Sequence, residues 1–441
     1  MKLIRGRTPA AIAAAIIATS VSGCAGAGVL PSPNVHHPGF GTNATGTVQL
    51  WVRAATQALS QPIVNKFNAT HPRLKVVLTP IPDTQYVTKF ATAIRGRSVP
   101  DLVDMDDINS TLLAYHDALT NITPLARKLP YLSKLSPTHL RLATLHGRMY
   151  AIPNAADVSV LYFNKTLFRK AGLDPNHPPT TLPAVLKDAR AITKLGHGIK
   201  GISFGGDSPG IMGFTGLPSI WAEHVDLFRG PVGKQTANIA HNTPLRQWLQ
   251  FYRTVWADGL AQPSSRTETG ATWGKDFVAG KVGMWPGNLG ALVADAIPKN
   301  VIKQVGAVPL PGARHGSCVF AGGDNIGIPR GAKNASGAWE YIKFALSKAQ
   351  QSTMPAAGFT PVRRDVVTPQ FVKKYPLDAV PARSLPHGYA SKTLAYNTAV
   401  NQVSGGPFLQ MFVTAVFGGN VEGAIKAAQP GFASALLEAD S

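Results

Sequence analysis

Apolar positions in this chain fall in short runs separated by segments of helical period. Val48-Gln49-Leu50-Trp51-Val52 is a short apolar run, consistent with a buried strand. Residues 61–70 follow with Ile63, Val64 and Phe67 on one helical face, and 74–79 read as the next strand. Tyr86, Phe90 and Ile94 recur at i, i+4 and i+8, which predicts a second helix. Residues 100–105 then read as a strand entering an acidic loop. This strand–helix rhythm predicts an α/β sheet with mostly parallel strands. Such sheets place ligands in crevices outside the carboxyl ends of their strands.

The rhythm continues downstream. Residues 150–153 and 158–164 read as two strands split by a polar turn, and 164–171 as a helix ended by Gly172. Residues 182–193 predict another helix and 199–204 a strand. Residues 339–350 predict an amphipathic helix, with Trp339, Ile342, Leu346 and Ala349 facing inward. Ser336 is its candidate N-cap, and Glu340 complements the dipole of its first turn. No repeat of solenoid period is present.

The N-terminus reads as a targeting segment. Lys2, Arg5 and Arg7 precede an apolar stretch over 10–21, the pattern of a secretory signal. Val21-Ser22-Gly23-Cys24 follows. Small residues directly before a cysteine match a bacterial lipobox, in which Cys24 would be acylated and become the mature N-terminus. Such a chain is anchored to the outer face of a membrane without spanning it. Cys318 is then left alone, so no internal disulfide forms. Residues 24–47 contain no Asp, Glu, Lys or Arg, and predict a flexible tether. His36 and His37 sit in it, and a lone His pair there reads as solvated.

Composition changes the picture in two places. Hydrophobic residues make up 44% and charged residues 15%, which excludes an extended disordered chain. Beyond the N-terminal segment no run approaches the ~20 apolar residues of a membrane span, which excludes a polytopic membrane protein. The net charge is +20, from 43 Lys+Arg against 23 Asp+Glu. Such an excess raises nucleic acid as a partner. The basic residues are scattered, however, and no helix-turn-helix or RNA-recognition signature occurs. A solvated basic surface is the preferred reading, with no nucleic-acid partner.

Catalytic motifs fail on chemistry. Gly206-Asp207-Ser208-Pro209-Gly210 fits the nucleophile elbow of α/β-hydrolases. The oxyanion hole needs the N–H of the residue after the nucleophile, and Pro209 has none. Pro209, Gly210 and Gly213 also disfavour the helix that should follow, so the segment reads as a loop. Gly230-Pro231-Val232-Gly233-Lys234-Gln235 lacks P-loop spacing and its Ser/Thr. Neither HExxH nor CxxC occurs, and no metal or cofactor is predicted. Asp104, Asp106 and Asp107 form an acidic cluster near a strand end. A calcium site, a glycosidase pair, a solvated loop and polar ligand recognition all remain open for it. Against the first stands the missing EF-hand pattern, and against the second the adjacency of the acids.

Residues 147–193 read GRMYAIPNAADVSVLYFNKTLFRKAGLDPNHPPTTLPAVLKDARAIT. This resembles the hallmark segment of family 1 extracellular solute-binding proteins of ABC sugar importers. Phe277-Val278-Ala279-Gly280-Lys281-Val282-Gly283-Met284 resembles that family's F-x-x-G-K-x-A-M. Gly322-Gly323-Asp324-Asn325-Ile326-Gly327-Ile328-Pro329 and Gly358-Phe359-Thr360-Pro361-Val362-Arg363 continue the match in the family's order, over about residues 48–430. The resemblance implies a two-lobe α/β fold of the periplasmic-binding-protein type, class II. A ligand cleft would lie between lobes joined by crossing strands. The first lobe is expected over 48–156 and 323–358, the second over 157–322 and 359–441, with residues 1–23 as signal. Crossings would fall near 155–158, 320–323 and Gly358, and Gly322 and Gly323 suit a hinge. The implied function is capture of a carbohydrate by a monomer, without catalysis. Delivery to two permease subunits would follow. The family often carries G-x-W where this chain has Gly287-Asn288-Leu289, so a usual stacking indole is lost.

Sugar sites need aromatic faces and planar polar groups. By motif position the ligand candidates are Thr56, Gln57, Asp106, Asp107, Asn109, Asn154, Asp157, Trp221, Trp285, Asn288, Gly323, Asp324 and Arg363. Trp273 is balanced between cleft and core; Trp51, Trp339 and Met284 read as core. Carboxylates outnumber cations among the candidates, which favours an amino sugar or short oligosaccharide. A glycerophosphodiester would instead call on Arg53 or Arg363.

Overall fold

The computed structural model describes residues 29–402 and 405–440. The signal segment and Cys24 lie outside these residues. The first lobe opens with Gly46–Arg53 (β1), Gln57–Thr70 (α1), Leu74–Ile81 (β2), Tyr86–Arg95 (α2) and Leu102–Asp106 (β3). The chain then runs through Ala151–Val158 (β4) directly into Val160–Asn164 (β5) of the second lobe. That lobe adds Leu182–Thr193 (α3), Lys200–Ile202 (β6), Pro209–Trp221 (α4) and Thr243–Ala257 (α5). Val282–Gly287 (β7), Leu289–Ala294 (α6) and Val305–Val308 (β8) follow. Ala321–Gly327 (β9) and Ala335–Ala345 (α7) return to the first lobe, and Pro407–Val416 (α8) and Val421–Asp440 (α9) close the second.

One sheet has the order β2-β1-β3-β9-β4, the other β8-β5-β7-β6. Parallel pairing holds for β2-β1-β3, where helices make the crossovers, and for β7 with β6. The remaining pairs are antiparallel, contrary to the mostly parallel expectation. The reason is topological: β9 and β4 traverse the lobe boundary in opposite directions, so they pair head to tail.

Val48, Phe67 and Trp339 are buried in the first lobe, and Phe204, Trp248 and Phe412 in the second. The lobes are stitched at the crossings. Ser159 Oγ accepts from Phe320 N at 3.2 Å, and Ala156 and Thr360 exchange backbone bonds of 3.0 and 2.8 Å. Near Gly358 the chain lies against Gly290 of α6, and at Tyr389 it passes beside Val319 and Ala321. Residues between them touch both lobes: Arg363 donates to Leu346 O at 2.9 Å, and Leu377 O accepts from Tyr162 Oη of β5 at 3.3 Å.

Several local expectations need correction. The polar stretch 154–157 is strand, not turn, because its backbone pairs with β9. The residue capping α7 is Asn334, whose Oδ1 accepts from Gly337 N at 3.1 Å; Ser336 Oγ instead accepts from Gly41 N at 2.9 Å. The helix ends at Ala345, and Ala349 is exposed on a separate short turn. A helix does follow Ser208, whose Oγ caps it by accepting from Ile211 N at 3.4 Å. Residues 29–45 are not a free tether. Leu30 and Val35 are buried, Arg330 Nε donates to Leu30 O at 2.7 Å, and Glu340 accepts from Ala44 N at 2.8 Å.

Candidate functional site

The carboxyl ends of β1 and β3 deliver Arg53 and Asp106 to the boundary between the lobes, beside Asp324 of β9. Arg53 donates to Asp324 Oδ1 from Nε at 2.8 Å and from Nη2 at 2.5 Å. Its Nη1 lies 3.0 Å from Asp83 and 3.7 Å from Asp106. One guanidinium therefore serves three carboxylates. Thr56 is buried in the turn after β1, where its Oγ1 donates to Arg53 O at 3.1 Å.

Asp157, at the end of β4, faces Asn288, the N-cap of α6. Asn288 Oδ1 accepts from Ala291 N, and its Nδ2 donates to both Asp157 oxygens at 2.9 Å. Arg53, Asp106, Asp157, Asn288 and Gly323 line a cavity of about 260 Å³. Its apolar wall is Phe214, Trp273, Phe320 and Tyr396, with Asn401 at hand. A second space of about 860 Å³ opens beyond the Asp157–Asn288 pair, which lines both. Aliphatic residues of α1 and α6 dominate it.

Burial sets the electrostatics. Asp106 and Asp157 are each pushed up to about 6, by burial first. Arg53 partly offsets this at Asp106, as the Asn288 amide does at Asp157. Asp324 is raised by burial despite Arg53, and its Oδ2 has no donor. The cavity combines acidic edges, one engaged cation and an aromatic face. It suits a ligand with hydroxyl or ammonium donors and a flat apolar side.

Six of the predicted residues meet at this place: Thr56, Asp106, Asp157, Asn288, Gly323 and Asp324. Gly323 has φ of +129°, and a Cβ there would lie 2.2 Å from Ala155 O, so only glycine fits. The others are displaced. Gln57 is exposed at the start of α1, outside the cavity lining. Asp107 is fully buried in the turn that follows β3, 3.5 Å from His139. Burial raises its carboxyl well above the usual range and pushes His139 down to about 4, which leaves the imidazole neutral near pH 7. Asn109 accepts from Asn397 Nδ2 across the lobe boundary. Asn154 donates to Asp104 at 3.0 Å inside the first lobe. Trp221 stands behind the wall, 5.2 Å from Phe320 by ring centroid. Trp285 is wholly buried between Tyr162 and Phe277, and Trp273 meets it edge-on at 5.0 Å. The indole of the cavity is thus Trp273, not Trp285. Arg363 binds Asp365 at 2.7 Å and covers Tyr131 at 4.0 Å, away from the cleft. Phe214, Phe320, Tyr396 and Asn401 escaped the sequence reading, since only the packed lobes bring them to β1 and β3.

Two α/β lobes joined by crossing strands around a polar cleft define a periplasmic-binding-protein fold. The profile described as bacterial extracellular solute-binding protein matches residues 53–352, and the chain belongs to that family. The sugar-binding protein MalE of Xanthomonas citri superposes with a TM-score of 0.78 at 20% identity, covering 89% of this chain and 98% of that one. A protein of Brucella abortus described as a binding protein is 26% identical over 52% of this chain and 54% of its own length. The diacetylchitobiose-binding protein DasA of Streptomyces coelicolor is 24% identical over 61% of each chain. The sn-glycerol-3-phosphate-binding protein UgpB of Brucella melitensis is 24% identical over 70% of this chain and 72% of its own. The chain thus spans about half the length of the Brucella abortus relative. Among the described residues no helix is long and apolar enough to cross a membrane.

Proposed function

We propose that this protein captures a carbohydrate and delivers it to the two permease subunits of an ABC importer, without transforming it. An amino sugar or short oligosaccharide is the favoured class. The observation that carries this reading is the cavity itself: Asp106 and Asp157 outnumber Arg53 in a lining that also holds the Trp273 and Phe320 rings. A hexose needs ring faces on one side and acceptors on the other, and an ammonium group fits the surplus of carboxylates. The space beyond Asp157 and Asn288 gives room for more than one sugar unit. Capture follows from differential affinity: a ligand touching both lobes stabilises their closed arrangement. Export and acylation at Cys24, with residence on the outer face of the cell membrane, complete the proposal.

A glycerophosphodiester ligand is the second reading, favoured by Arg53 in the lining and by the UgpB relative. Its phosphate would replace three carboxylates now held by that one guanidinium. The pH dependence separates the two. Asp106 and Asp157 must ionise to hold an ammonium, so amino-sugar affinity is expected to rise as pH passes through about 6. Phosphodiester affinity should fall over the same range. The experiment is a melting scan of the chain from Ala25 against sugars, amino sugars, chitooligosaccharides and glycerophosphodiesters. Ligand at ~100-fold above its dissociation constant stabilises by about 2.7 kcal/mol. Recovery of the ligand intact supports capture, whereas its turnover would return the hydrolase reading.

A further inference from the structure

A different cavity between the lobes, of about 390 Å³, is lined by the cations Arg141 and Lys392 and by one carboxylate, Asp226. Arg141 reaches it from the first lobe, and Lys392 from the segment after Tyr389. Arg141 donates to Ala390 O, with its guanidinium 4.6 Å from the Tyr389 ring centroid. Lys392 Nζ donates to Thr144 O. Among the described residues neither cation has an ion-pair partner. Both line the one cavity, and the Lys392 ammonium is depressed by burial first and then by the charge of Arg141.

The second lobe closes the cavity with the loop whose Gly230, Pro231, Val232 and Gln235 line it, the segment that fails as a P-loop. Gln235 Nε2 donates to Lys392 O at 3.1 Å, and its Oε1 is buried without a donor. Asp226 also faces this space. Its carboxylate is already engaged by Tyr389 Oη at 3.0 Å, Ser391 Oγ at 2.7 Å, Trp221 Nε1 at 3.3 Å and Leu227 N at 2.6 Å. Two half-buried like charges held together by backbone carbonyls are costly unless an anion joins them.

We propose that this cavity binds a phosphate group that retains a hydroxyl, with Arg141 and Lys392 donating to its oxygens and Gln235 Oε1 accepting from that hydroxyl. The walls come from both lobes, so bound phosphate also ties them together. Hydrogenphosphate carries such a hydroxyl at neutral pH; a phosphomonoester dianion, a phospholipid diester and sulfate do not.

The test is calorimetric titration of inorganic phosphate into the ligand-free chain. Binding is expected, with sulfate weaker. Lys392→Met and Arg141→Met should each weaken phosphate by about tenfold or more, roughly 1.4 kcal/mol. Gln235→Leu keeps both cations and should bring phosphate down to the level of sulfate, which guards against variants that merely misfold. No heat with phosphate at millimolar concentration overturns the proposal, as does unchanged affinity in the Lys392 and Arg141 variants. Binding to phosphatidylglycerol vesicles without binding of free phosphate would also overturn it, since the site would then be a surface for lipid.

Discussion

Asp157 accepts two hydrogen bonds from one amide and still holds its proton up to about pH 6, because burial outweighs what Asn288 returns. The sign of the consequence is fixed by linkage. A carboxyl whose folded pKa exceeds its unfolded value of about 3.8 stabilises most below that value, and the contribution is lost as pH rises through about 6. Asp157→Asn should therefore raise the melting temperature of the ligand-free protein at pH 7.5 and change it little at pH 4, by calorimetry at both values. The two indoles give a second contrast. Trp273→Ala should weaken sugar binding with a small loss of stability. Trp285→Ala empties a fully buried site and should cost about 3–5 kcal/mol in urea unfolding. The sequence made Trp285 a ligand candidate and left Trp273 balanced between cleft and core, and only packing could say which ring lines the cavity. Arg363 shows the same limit: its motif position was legible, but not its partners Asp365 and Tyr131.

At the scale of elements, the chain pattern was legible where a helix or strand is closed locally. Residues 182–193 form the predicted helix, and Asn164 caps the one after β5. It failed where a distant strand decides. The polar stretch 154–157 looks like a turn until β9 is laid beside it. At α7 the cap is decided by distant partners too. Asn334 Nδ2 bonds the carbonyls of Thr45 and Thr47 at 3.0 and 3.1 Å, which positions its Oδ1 to cap. Ser336, two residues on, is drawn to Gly41 instead. Asn334→Ala should cost about 1–2 kcal/mol, at the upper end for a cap because three bonds go at once. Ser336→Ala should cost less, in the same chemical denaturation.

For the whole molecule, the strand–helix rhythm foretold α/β sheets, and the family resemblance of the ordered motifs implied two lobes with crossing strands. The arrangement of the second sheet was hidden, because antiparallel partners such as β5 and β7 stand more than a hundred residues apart. The same separation concealed Tyr396 and Asn401, which reach the cavity from the far end of the chain. The segment 29–45 misled for another reason. Its lack of charge reads as a linker, yet Leu30 and Val35 are enough to seat it. A chain beginning at Gly46 should lose about 2–4 kcal/mol of stability, since each of those side chains returns to water.

That seating also sets the length of a leash. With Cys24 held in a bilayer, residues 25–29 would separate the lipid from Leu30, the first buried side chain among the described residues. At 3.3–3.6 Å per residue they span no more than about 18 Å, against roughly 80 Å for a free 24-residue strand. The receptor would not sweep a hemisphere of wall space. Its first lobe would ride close to the membrane surface, and the search for the permease would be a walk in a plane, with the second lobe left as the moving jaw.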